Sequence, residues 1–136
     1  MKIKKAILIL LLLIGTAHSN SLNIHSDYNK TIKIAKKEDK PIFIFFFKDN
    51  CQWCEKLKAK LLTSKEIYQK LYKDYIVLFL DRDRDNYPKK RFKIDVTPTV
   101  ILMSPSEEIY TQIVGYHAKD KDYLKWFNYV QVEREN

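Results

Sequence analysis

The stretch Pro41 to Leu57, PIFIFFFKDNCQWCEKL, governs how the remaining chain is read. Ile42 to Phe47 is a continuous apolar run, aromatic and β-branched, that opens just after a proline. Such a run predicts a strand buried on both faces, because a half-exposed strand would alternate apolar and polar residues. The chain then turns through Lys48-Asp49-Asn50 and enters a charged, leucine-spaced segment holding Cys51 and Cys54. Two cysteines three apart at a strand-to-helix junction put the first sulfur at a helix N-terminus. There the unpaired backbone N–H groups and the macrodipole favour a thiolate. Thiolate is the form that attacks disulfides, so Cys51 reads as a redox cysteine rather than an inert one.

Toward the N-terminus, Lys2, Lys4 and Lys5 precede an apolar run from Ala6 to Gly15, and Ala17 and Ser19 stand at the small-residue positions of a cleavage site. Residues 1–19 are therefore expected to be a secretory signal peptide, since ten apolar residues fall short of a comfortable bilayer span. The alternative is an uncleaved membrane anchor. The expected compartment is the periplasm or the extracellular space. Residues 20–136 are enough for one domain and too few for two. Three of the 25 Lys and Arg lie in the leader, leaving 22 basic against 17 acidic residues, a net +5. An excess of that size, spread along the chain, bears on solubility and gives no reason to expect a nucleic-acid partner. Both cysteines lie in one Cys-x-x-Cys, so a larger disulfide framework is excluded.

Periodicity predicts the other elements. A short edge strand is expected over Leu22 to Ile24, then a helix over Asp27 to Lys37, with Ser26 as cap and Tyr28, Ile32 and Ala35 on one face. Cys51 to about Lys73 is expected to be helical in two pieces, broken near Thr63-Ser64, where Ser64 caps the segment carrying Ile67, Leu71 and Tyr72. Buried strands are expected over Ile76 to Asp81 and Thr99 to Ser104, a short helix over Tyr87 to Lys93, and a hairpin strand over Ile109 to Val114. An amphipathic helix over Lys121 to Glu133 closes the chain, carrying Leu124, Phe127 and Val130 with Trp126 and Tyr129. Strands linked through helices are expected to run parallel and the last two antiparallel. The fold class is α/β, a mixed sheet of four or five strands with helices on both faces.

A buried strand feeding Cys51-Gln52-Trp53-Cys54, with Val96-Thr97-Pro98-Thr99 leading into a later strand, resembles the thioredoxin superfamily. The resemblance covers nearly all of the mature chain. Asn50-Cys51-Gln52-Trp53-Cys54-Glu55-Lys56-Leu57, with the signal peptide, is most similar to periplasmic thioredoxin-related proteins of the SoxW type. By this resemblance Pro98 would be the cis-proline facing the cysteines, and Gly115 the glycine beside the site. The same resemblance implies a thiol–disulfide oxidoreductase with Cys51 and Cys54 as catalytic residues. Thr97 and Pro98 would offer an open backbone edge to an extended substrate segment. Two departures stand out. Gln52-Trp53 replaces the usual Gly-Pro, which bears on redox poise. Phe45 occupies the place, six residues before the first cysteine, where the family carries a buried acid.

No cofactor or bound metal is expected. The partners expected are proteins with disulfides or thiols and a redox partner, soluble or membrane-bound, with a monomer as the default state. Trp53 is a substrate-contacting ring or a packing residue against the neighbouring loop. His117 either tunes Cys51 or stands at the surface before the last helix. Two rival readings use the same sulfurs, as a redox-inert binding module or as a copper(I) carrier. Zinc would need about four ligands, and after removal of the leader only His25 and His117 accompany the cysteines. Asp81-Arg82-Asp83-Arg84-Asp85 lacks the glycine and glutamate of a calcium loop, with Asn86 and Phe92 in their places, and reads as a solvated loop.

Overall fold

Side chains alternate across a strand, so an all-apolar strand must find a core on each side. In the computed structural model, which describes residues 20–136, the elements in chain order are β1 (Ile24–His25), α1 (Tyr28–Glu38), β2 (Ile42–Phe47), α2 (Gln52–Thr63), α3 (Lys65–Asp74), β3 (Ile76–Asp81), α4 (Lys89–Phe92), β4 (Thr99–Met103), β5 (Ile109–Val114) and α5 (Lys121–Glu135). The five strands form one sheet in the order β1-β3-β2-β4-β5, with the apolar run in the middle. Phe43 and Phe45 point into a core shared with Leu57 and Leu61 of α2, Ile67 and Leu71 of α3, and Tyr123, Phe127 and Val130 of α5. Ile42, Ile44 and Phe46 point the other way, against Tyr28, Ile32 and Ala35 of α1 and Phe92 of α4. Each such side chain contributes about 1.5–3 kcal/mol by leaving water. Edge-to-face rings, such as Phe45 on Phe79 at 4.9 Å, add to this.

β2 runs parallel to β3, with Phe45 opposite Phe79, and antiparallel to β4, with Phe45 opposite Val100. The mixed sheet is as expected, but one link differs: β3 and β4 are joined through α4 and still run in opposite directions. A four-residue helix spans about 6 Å, against about 20 Å for a six-residue strand, so α4 does not carry the chain back along the sheet. Residues 82–98 instead cross its end, and β4 starts opposite Phe46.

Caps explain most boundaries. Asp27 rather than Ser26 caps α1, its carboxylate accepting from Lys30 N at 2.9 Å. Ser64 separates α2 from α3 as expected, its hydroxyl accepting from Ile67 N. Tyr72 and Tyr129 are exposed. The expected signal peptide lies outside the described residues. Among the described residues, no helix is long and apolar enough to cross a membrane.

Candidate active site

β2 ends at Phe47, and three residues carry the chain from its end to Cys51, the N-cap of α2. Asn50 makes the corner with φ +53°, a left-handed conformation that asparagine tolerates better than most residues. Cys51 then takes extended angles as the N-cap of α2. Its Sγ accepts from Cys54 N at 3.2 Å, and its carbonyl accepts from Glu55 N at 3.1 Å. A cysteine sulfur thus stands where a serine or aspartate oxygen usually caps a helix. Once reduced, that sulfur meets an N–H donor and the positive end of α2, and both favour the anion.

Cys51 and Cys54 form a disulfide with Cα atoms 5.2 Å apart. The two sulfurs are not equivalent. Cys51 is partly exposed, whereas Cys54, in the first turn of α2, is 2% exposed and faces the core. An incoming reagent therefore meets Cys51. Phe45, 1% exposed in the same core, puts an apolar ring where the family would place an acid.

Thr97 comes against Cys51 from the loop before β4, with Pro98 next to it in the chain. The Thr97–Pro98 peptide bond is cis. Thr97 Oγ1 lies 3.7 Å from Cys51 Sγ and can donate to it. The Thr97 carbonyl oxygen lies at the same distance. It has no donor to accept from while the sulfurs are joined, and gains one when Cys51 is a thiol. Gly115 N donates to the Pro98 carbonyl at 2.8 Å, tying the end of β5 to this loop. Gly115 sits at φ +79° with open space around its Cα, so conformation rather than crowding calls for glycine there.

Trp53 is 50% exposed and stacks on Tyr116, with ring centres 5.5 Å apart. It packs against the neighbouring loop, one of the two expectations for it, and keeps half of its surface open. Lys56 Nζ lies 4.3 Å from the Trp53 ring centre. Lys60 holds the loop after β5 through Asp120 at 2.6 Å and the Ala118 carbonyl at 2.8 Å. The hydrogen bond from Lys60, and then that from Ser64, hold the Asp120 carboxyl below the usual range. The His117 Nε2 lies 3.2 Å from the Val114 carbonyl, and its ring meets Tyr123 edge to face. Val96 and Val114, each about half exposed, add apolar surface next to Thr97 and Gly115. Cys51, Cys54, Thr97, Pro98 and Gly115 are thus joined by direct contacts, with Trp53 beside them. Tyr116 was not singled out by sequence, and its only signal is an aromatic ring directly after Gly115.

A family model described as a thioredoxin-like domain matches residues 28–131. Mouse (Mus musculus) anterior gradient protein 3 is 24% identical over 94 residues, covering 67% of this chain and 54% of that protein. The chain thus spans about half the length of that curated relative. A thioredoxin from Thermus thermophilus superposes with a TM-score of 0.73 at 19% identity, covering 83% of this chain and 89% of that one. Thioredoxin f from spinach chloroplast does so at 0.64 and 21% identity, covering 84% and 98%. The chain belongs to the thioredoxin-like domain family, and carries the Cys-x-x-Cys disulfide of a thiol–disulfide oxidoreductase fold at Cys51 and Cys54.

Proposed function

We propose that this chain is an extracytoplasmic oxidoreductase that reduces disulfides in protein substrates. The observation that carries the reading is the asymmetry of the pair: Cys51 is partly exposed at a helix N-cap and Cys54 is buried one turn behind it. In the reduced protein Cys51 attacks one sulfur of a substrate disulfide as thiolate. A mixed disulfide forms, and the departing substrate sulfur takes up a proton. Cys54 then loses its proton, attacks Cys51 Sγ and expels the second substrate sulfur as thiolate. Two electrons leave the dithiol, the substrate gains two thiols, and the Cys51–Cys54 disulfide remains. With Phe45 behind the pair, the Cys54 proton goes to water at the mouth of the site or to Glu55. Thr97 and Pro98 would receive an extended substrate segment, with Trp53 and Gly115 at its margin. A separate redox partner, soluble or in the membrane, returns the pair to the dithiol. The leader over residues 1–19 would deliver the protein to the periplasm, where it works as a monomer.

Insulin reduction with a chemical electron donor tests this. Turnover is expected in the native protein, and Cys51→Ser is expected to abolish it. Tight copper(I) uptake without turnover would instead make the pair a metal carrier. A Cys51–Cys54 potential near about −270 mV fits a reductant, and one near about −120 mV would reverse the direction.

A further inference from the structure

The Asp81–Asp85 segment reads in sequence as a solvated loop, yet Asp81 is 4% exposed. Its Oδ1 accepts the backbone N–H groups of Asp83 and Arg84 at 2.9 and 3.0 Å. Its Oδ2 accepts from Arg84 Nε at 2.9 Å. Asp81 N donates to Asp85 Oδ2 at 2.6 Å, closing the loop on itself at the end of β3. Burial alone would raise the Asp81 pKa, but the amides of Arg84 and Asp83 and then the Arg84 guanidinium overcome it and hold the carboxyl below its ordinary range. This is a folded anchor.

Two guanidinium arms leave that anchor for the two loops that meet at the sulfurs. Arg84 Nη2 donates to Asp49 Oδ1 at 2.9 Å, two residues before Cys51. Arg82 Nη1 donates to the Asp95 carbonyl at 3.1 Å, two residues before Thr97. Arg82 N also donates to the Phe47 carbonyl at 2.8 Å, at the end of β2. One loop of five residues therefore holds both sides of the Cys51–Thr97 contact.

We propose that Arg82 and Arg84 are positioning residues of the redox site, bracing the Cys51 loop and the Thr97–Pro98 loop at a fixed separation from the buried Asp81. The proposal rests on the reading of Cys51 as the reactive thiol. The Arg84–Asp49 pair has both side chains 66% exposed, and such pairs add little stability. Its effect is geometric. Thr97 Oγ1 donates more strongly to a Cys51 thiolate than to a disulfide sulfur. Holding Thr97 in place therefore favours the reduced form, and slackening the brace favours the oxidised one.

The test is redox equilibration of the full chain with glutathione buffers, alongside the alkylation rate of reduced Cys51. Arg82→Ala is expected to shift the equilibrium constant about threefold toward the disulfide, a potential about 14 mV more negative for a two-electron couple. Arg84→Ala, on the exposed arm, is expected to shift it about twofold in the same direction. Lys89→Ala is the control, since Lys89 Nζ holds the same loop through the Asp83 carbonyl but reaches neither site loop; it is expected to change nothing. Arg82→Lys keeps the charge and loses the fork, so it should remain shifted. A lower Tm with an unchanged potential in the two alanine variants would reduce the loop to a structural part and overturn the proposal. Full recovery in Arg82→Lys would overturn it as well. Absence of insulin turnover in the native protein would remove the reductase reading and leave this comparison of potentials intact.

Discussion

On one side of the sheet Phe43 and Phe45 pack with α2, α3 and α5, and Cys54 lies in that core with Cys51 at its border. On the other, Ile42, Ile44 and Phe46 pack with α1 and α4, away from both cysteines. The two faces draw on the same strand and the same residue types, so their contributions to stability are similar. Their relation to the chemistry is not. A defect in the first face loosens the wall behind the buried sulfur, while a defect in the second acts only on the folding equilibrium. Burial is shared between the faces, and redox behaviour is confined to one.

Truncating neighbouring phenylalanines breaks this contrast or confirms it. Phe45→Ala and Phe46→Ala should each cost about 3–5 kcal/mol in urea unfolding, the transfer of a ring plus the cavity it leaves. Under conditions where both variants remain folded, alkylation of reduced Cys54 should accelerate in Phe45→Ala alone. An equal rise in both would erase the distinction. Gly115→Ala is a smaller step near the first face. Its added methyl meets nothing within 4 Å, so the cost is left-handed strain, about 1–2 kcal/mol. Because Gly115 N bonds the Pro98 carbonyl, insulin turnover should fall beyond what the stability loss explains. Asp81→Asn is expected to have the smallest effect, since asparagine keeps an acceptor for the loop amides and loses the charge facing the exposed Arg84. The Asp81 pKa is lowered in the folded state, so its stabilisation is complete above the unfolded value near 4 and fades as pH falls through the folded value. Urea unfolding should therefore show a native-to-variant gap at pH 7 that narrows below pH 4. A gap constant over that range would deny the carboxylate its role.

Much of this architecture was legible because apolar runs are bounded by strong punctuation. Ile42–Phe47, Ile76–Asp81 and Ile109–Val114 fall where the sequence places them. Strand direction was less legible: a short helical pattern between two strands does not say whether the chain returns along the sheet or crosses its end, and α4 crosses. Tyr72 and Tyr129 lie at the surface of their helices. Ile67 and Leu71 share one face of α3, and Tyr72 lies about 100° further round, which leaves it in solvent. At the site, the Cys51–Cys54 spacing is a local signal, whereas Thr97 and Pro98 were placed there only by the family resemblance. The Trp53–Tyr116 stack joins residues far apart in sequence, and neither ring announces the other. The Asp81 loop was hidden for a different reason. Alternating charges look the same whether they face water or each other, and only the burial of Asp81 separates the two cases.

The strand order has a practical corollary. β1 and β5 are the two margins of the sheet, four strand intervals or about 19 Å apart. The described chain enters the sheet at the β1 margin, while the strand that runs into Gly115 lies at the other. A tether or fusion attached ahead of the domain would therefore hold it by its far flank, leaving the hairpin side free to meet a visiting protein.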